Sequence, residues 1–340
     1  MDVRRKFEQS LQDTVEEWKS REEVRGIFVY GSYVRGTATI SSDLDIVIIW
    51  NDNEAPARLI ARHKGVLIDM DFITPEGIEV VLQDEATDAF EVAGVISRLR
   101  SARIEYDPDQ LLVDWLNRVG EYAWPTEMID RVKERILESL SCAKIFLDKG
   151  DTASASYAMR LGILRLARLV LMRNNNFSII KPAEVLSELR MLDPVSYQLF
   201  LRAFKLKGVS ENKLMIILEE IKKWLIEAVE RFEREDRTEE EIITLLTQAQ
   251  RYYYGAYGLT INGDNELAML EIRRCIPMIG MALLLLSDTQ LEKEDSLLEF
   301  LREKEMEFYD EIISEYGGYD MQPKGIERAI GEATFIVDRL

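Results

Sequence analysis

Asp43 and Asp45 stand two residues apart in "DLDIVIIW", and Asp69 and Asp71 repeat that spacing in "LIDMDFIT". Side chains at i and i+2 of a strand project to the same face, so each pair sets two carboxylates side by side. Ionised carboxylates so placed repel one another unless a cation lies between them. Magnesium suits such a pair, because it takes oxygen ligands and is commonly held by one or two protein carboxylates together with phosphate oxygens. Upstream, Gly31-Ser32 follows the apolar run "GIFVY". Glycine there permits close backbone approach, and exposed N–H groups with a hydroxyl can meet phosphate oxygens. Acids on adjacent strands beside such a turn are the components of two-metal phosphoryl transfer, in which one carboxylate can also serve as base.

The elements that must position these residues can be read from hydrophobic spacing. In "DLDIVIIW" Leu44, Ile46 and Ile48 fall on one face and Val47 and Ile49 on the other, which predicts a central strand buried on both sides. "GIFVYGS", "GVLIDMDFIT" and "RIEYD" read as further strands. "VRRKFEQSLQDTVEEWKSREE", "PEGIEVVLQD" and "AFEVAGVISRLRSA" read as helices, and Ala55–Arg62 is compatible with another. These elements make a catalytic unit of mixed sheet and helices over residues 1–110. Beyond it the pattern is helical, divided by the charge run Glu233–Glu241, which reads as a solvated linker. The expected organisation is therefore α+β: a mixed sheet with helices over 1–110, then all-α helical regions over 111–236 and 237–340. Lys149–Arg160, "KGDTASASYAMR", and Asn262–Arg273, "NGDNELAMLEIR", share Gly-Asp after a helix and an arginine ten residues beyond the glycine, a pattern that a duplication would leave.

Composition narrows the function classes. With 62 acidic against 43 basic residues the formal charge is -19, which argues against nucleic acid as partner, because phosphate neutralisation needs a basic field. Small ligands and cationic acceptors fit better. Cys142 and Cys275 lie far apart without a CxxC partner, so neither a disulfide framework nor a zinc site is supported and a reduced cytoplasmic setting is expected. The single histidine, His63, excludes a His-pair metal site and reads as an exposed loop residue. The start of the chain shows no apolar signal core, and "MIGMALLLL" is too short to span a membrane and reads as a buried helix. "RYYYGAYG", Arg251–Gly258, places aromatics at helical spacing and reads mainly as core.

Gly31-Ser32, the stretch "YVRGTATISSD" ending in Asp43, Asp45 one residue after Leu44, and Asp71 between Met70 and Phe72 together resemble the nucleotidyltransferase superfamily of the DNA polymerase beta type. The resemblance covers about residues 24–107. It implies that Asp43 and Asp45 hold Mg²⁺, two ions in all, and that the third carboxylate is Asp71, with Asp69 as the alternative. Gly31 and Ser32 would meet the phosphates of ATP or another nucleoside triphosphate. A longer resemblance is to the aminoglycoside adenylyltransferases of the kanamycin and streptomycin type, which follow the catalytic domain with a helical bundle. On that likeness Arg168 and Lys181, in "LARLVLMRNNNFSIIKPAEVLSELR", would contact nucleotide phosphates. The implied reaction moves AMP onto a hydroxyl of a small, cationic acceptor and releases pyrophosphate. Adenylylation of a protein or an RNA end, or nucleotide sensing without turnover, are the alternatives.

Overall fold

A computed structural model describes residues 3–39, 42–51, 55–235 and 237–340. Ile40 and Ser41 of the Gly31–Asp45 motif, and Asp236 of the charge run, lie outside the described residues. The chain divides into two compact units, residues 1–128 and 129–340.

The first unit opens with α1 (Val3–Trp18), whose Phe7, Leu11, Val15 and Trp18 recur at helical spacing and are all buried. Five strands follow: β1 (Val24–Tyr30), β2 (Asp43–Trp50), β3 (Leu59–His63), β4 (Val66–Ile73) and β5 (Arg103–Tyr106). They form a mixed sheet in the order β3-β4-β2-β1-β5, with β2 parallel to β4 and the other pairs antiparallel. The expectation for β2 holds: it is the middle strand, and Leu44 and Ile46 to Ile49 are all at 0% exposure. Side chains at Leu44, Ile46 and Ile48 join those of α1, Ile27, Val29, Ile68 and Met70 in one core.

On the opposite face α3 (Pro75–Leu82), α4 (Ala89–Arg100) and α5 (Leu111–Glu121) pack on one another, with α5 against β1 and Arg98 of α4 reaching Asp71 of β4, while α2 (Gly31–Val34) is one short turn after β1. Thr74 caps α3 by accepting from Gly77 N, and Asp88 caps α4 by accepting from Phe90 N. Gly26 of β1 leaves room for Leu112 of α5, which a Cβ would meet at 3.0 Å. α5 thus belongs to the sheet-bearing unit, although the expected boundary at 110 assigned it to the helical region.

One expected element is of a different kind. Within Ala55–Arg62 no helix forms: Leu59–His63 is a strand paired antiparallel with β4. The cause is the two-residue turn Lys64-Gly65, where both residues take positive φ (49° and 82°) between the paired His63 and Val66. Such a turn matches the strand twist and fixes a tight hairpin.

The second unit is helical: α6 (Thr126–Asp148, which begins at the end of the first unit), α7 (Thr152–Arg173), α8 (Pro182–Leu192), α9 (Pro194–Ala203), α10 (Glu211–Arg234), α11 (Glu240–Ile261) and α12 (Asn265–Leu286). A π-helical turn, Tyr309–Ser314, and a C-terminal helix, Pro323–Arg339, follow. α10 packs on α11 and α12, and the C-terminal helix packs on α7 and α9, so residues of both expected helical blocks share this one unit. The apolar run Met278–Leu286 is the buried end of α12, and among the described residues no helix is long and apolar enough to cross a membrane.

Candidate active site

Strand register decides which carboxylates meet. Tyr30 of β1 lies opposite Asp45 of β2, and Asp45 lies opposite Asp69 of β4, so these three form one row across the sheet. Asp71 sits in the next row, beside Val47. Asp43, Asp45 and Asp69 each offer a carboxylate oxygen, and those oxygens lie within 4.8 Å of one another. At an effective surface dielectric each such pair repels by roughly 3–4 kcal/mol, so the cluster calls for positive charge. The structure gathers Asp69 with the first two acids, where the resemblance placed Asp71 in that role.

Two arginines supply part of that charge. Arg58, just before β3, donates from Nε to Asp69 Oδ1 at 2.6 Å and from Nη2 to Oδ2, and its Nε lies 3.6 Å from Asp71 Oδ1. The Asp69 hydrogen bonds raise the Arg58 pKa above its ordinary value. Arg98 of α4 places Nη2 2.9 Å from Asp71 Oδ2 and lies over the Tyr30 ring at 5.5 Å. Asp71 is thereby held by guanidinium groups at the edge of the cluster. Tyr30 forms the wall beside the acids. Burial pushes its hydroxyl up to about 12, with the Asp45, Asp71 and Asp69 charges acting in the same direction against Arg98.

Gly31 and Ser32 close the other side. Gly31 has φ +78°, and a Cβ there would fall onto the Asp45 carboxylate, so glycine alone lets the turn approach the acids. Ser32 Oγ is sealed from solvent and has no hydrogen-bond partner. A buried hydroxyl without a partner is costly to keep, and together with three oxygen ligands it makes a donor set suited to a hard divalent cation and the phosphate it carries.

The other expected site residues lie in the second unit. Arg168 of α7 is enclosed, and its Nε donates to Ile179 O at 3.0 Å, bracing the turn that leads to Lys181. Burial and the neighbouring Arg274 push its pKa down to about 9. Lys181 precedes α8, is exposed, and lies 3.4 Å from Glu184. His63 ends β3 with Nε2 2.7 Å from Asp13 Oδ2, and among the described residues it belongs to no metal-ligand group. Sequence reasoning missed Tyr30, Arg58 and Arg98. The Lys64-Gly65 turn was the one signal for Arg58, because the hairpin it fixes carries Arg58 back to Asp69.

No curated protein matches the chain. The crystal structure of a nucleotidyltransferase-like protein from Exiguobacterium sibiricum is similar over 90% of this chain and 91% of its own, at 14% identity and a TM-score of 0.41. The family model of the nucleotidyltransferase domain matches residues 11–94, a segment that contains Gly31, Ser32, Asp43, Asp45, Asp69 and Asp71.

Proposed function

We propose that this chain is a Mg²⁺-dependent nucleotidyltransferase that moves AMP from ATP, or the corresponding group of another nucleoside triphosphate, onto a hydroxyl and releases pyrophosphate. The observation that carries it is the convergence of Asp43, Asp45 and Asp69 within 4.8 Å, inside the segment that matches the family. Asp43 and Asp45 would hold the cation from β2 and Asp69 from β4. When bound, the cation neutralises triphosphate charge and lowers the pKa of the attacking hydroxyl. Ser32 Oγ donates to a phosphate oxygen brought against the Gly31 turn. The Tyr30 hydroxyl, with its pKa near 12, stays protonated at working pH and acts as donor and wall, never as base. In-line attack of the hydroxyl on the α-phosphorus would form one P–O bond and break the bond to pyrophosphate, the acceptor's proton passing to a carboxylate of the cluster.

The acceptor we propose is a small polyhydroxylated cation of the aminoglycoside kind, in keeping with the net charge of -19. In this reading the helical unit selects the acceptor and Lys181 contacts the nucleotide phosphates, with Arg168 bracing the turn that carries it. The two free cysteines, Cys142 and Cys275, accord with a cytoplasmic setting.

Calorimetric titration of the four nucleoside triphosphates, with and without Mg²⁺, tests the site. Binding should require Mg²⁺ and weaken by about 100-fold or more in Asp45→Asn, since even partners of metal ligands are worth 10–100-fold in affinity. Binding that ignores both the metal and the substitution would overturn it. A pyrophosphate-release assay against hydroxylated cationic compounds then tests transfer, and tight binding without release for any acceptor would point to nucleotide sensing.

A further inference from the structure

α7 and α12 are built alike. Gly150 and Gly263 precede them with φ of +81° and +79°, and the next residues, Asp151 and Asp264, cap them. Asp151 Oδ1 accepts from Ser154 N at 3.0 Å, and Asp264 Oδ1 accepts from Leu267 N at 3.3 Å. Both helices have 22 residues. Each carries an arginine at the same distance past its cap, Arg160 and Arg273, which end the two repeated segments of the sequence. Equal helical positions put the two guanidinium groups at equal heights on their helices.

These arginines are buried, at 3% and 9% exposure, and they meet at one glycine pair. Arg160 donates to Ala203 O at 2.8 Å, to Gly317 O at 2.8 Å and to Gly318 O at 2.5 Å. The Arg273 guanidinium lies against Gly318, which has φ +67° and where a Cβ would collide with it. The Tyr319 ring sits 4.6 Å from the Arg160 guanidinium carbon.

The two copies differ in one respect. Arg160 uses all three of its nitrogens on backbone carbonyls, whereas Arg273 Nε and Nη1 are sealed from solvent and have no partner. Among the described residues no carboxylate forms an ion pair with either arginine, and the nearby Asp320 is taken by Lys205 at 2.6 Å. Burial and the charge of Arg160 push the Arg273 pKa down to about 9. A buried cation without a counter-charge is strongly unfavourable, and unsatisfied buried donors add to the cost. Other sealed, unpartnered polar atoms lie near: the Tyr157 hydroxyl, whose ring is 6.0 Å from that of Tyr319, and Arg274 Nε. The π-helical turn Tyr309–Ser314 comes just before the glycine pair, and such turns recur at functional sites.

We propose that the helical unit holds an internal binding site for a small oxyanion, a phosphoryl or carboxylate group, with the Arg273 guanidinium as its principal donor and Arg160 fixing the Gly317-Gly318 loop beside it. The site supplies the negative charge that the arginine pair lacks.

The test uses the full chain, stripped of metals over an immobilised chelator, in buffer free of phosphate and carboxylate and without nucleotide. Thermal unfolding and calorimetry follow the addition of inorganic phosphate in one arm and malonate in the other. At least one probe should bind saturably and raise the melting temperature, and the arm that does so identifies the group. Arg273→Met should lose about tenfold or more in affinity, because charge-assisted hydrogen bonds to arginine are the strong ones. It should also equal or exceed wild type in stability before the probe is added and fall behind afterwards. Arg273→Lys keeps the charge but not the planar donors, so it should bind several-fold more weakly; it serves if Arg273→Met does not fold. Ser32→Ala, in the other unit, should leave the response unchanged. No response in wild type, an equal response in both Arg273 variants, or a response abolished by Ser32→Ala would each overturn the proposal. The first of these would mean that the unpartnered nitrogens are served by water alone.

Discussion

Asp69 and Asp71 project from the same face of β4, and one strand repeat separates their surroundings. Asp69 shares a row with Asp45 and Tyr30 and takes both Arg58 hydrogen bonds, while Asp71 pairs with Arg98 and lies 3.6 Å from Arg58 Nε. Asp69→Asn should therefore weaken Mg²⁺-dependent nucleotide binding by about 10–100-fold or more. Asp71→Asn should change it only a few-fold, since it removes a partner of the arginines and leaves the cluster whole. Calorimetry on the two variants decides the matter, and the reverse order of losses would return the third ligand to Asp71. That the two acids of each strand face one way is legible in the sequence, because side-chain alternation along a strand is a local property. Which acid stands beside Asp45 is a question of register between β2 and β4, and no nearby residue encodes it.

At the scale of elements, the cover of the acidic face depends on a polar clasp between α3 and α5. Glu79 of α3 accepts from Arg118 Nη1 and Nη2 at 2.7 and 2.9 Å and from Trp115 Nε1 at 2.7 Å. The Arg118 hydrogen bonds, helped by Gln83 and Trp115, hold the Glu79 carboxyl down to about 2 against the opposing effect of burial. A folded-state pKa below the unfolded value means that the clasp stabilises fully above the unfolded value of about 4.3. That stability is lost as pH falls toward 2. Glu79→Gln should thus cost about 1 kcal/mol at neutral pH, a figure kept small because the pair is partly solvated. Urea unfolding at pH 7, 4 and 2.5 should show the gap between wild type and variant closing at the acid end. The clasp was invisible in the sequence because its partners lie 36 and 39 residues apart.

For the whole molecule, the boundary between units is set by burial on the sheet. Leu112, Trp115 and Val119 of α5 are at 0%, 0% and 1% exposure. At about 1.5–3 kcal/mol for each buried apolar side chain, their removal is comparable with the entire stability of a small domain, about 5–15 kcal/mol. A fragment of residues 1–128 should unfold cooperatively by circular dichroism, and a fragment of residues 1–110 should lack a cooperative transition. Equal melting of the two would restore the boundary at 110. The helical unit shows the same dependence on long-range packing, since α10, α11 and α12 form a packed group across the charge run that reads in sequence as a linker.

Local sequence is enough to read the strands that carry the acids, the glycine that lets Ser32 approach them, and the repeated Gly-Asp helix starts. Each of these follows from spacing within a few residues: alternation in a strand, periodicity in a helix, or the conformational freedom of one glycine. Packing and register, by contrast, make Leu59–His63 a strand, bring Asp69 and not Asp71 within 4.8 Å of Asp43 and Asp45, hold α5 on the sheet, and bring Arg160 and Arg273 to one loop. These outcomes depend on register and packing between segments far apart in the chain, where the free energy lies in contacts that no local pattern records.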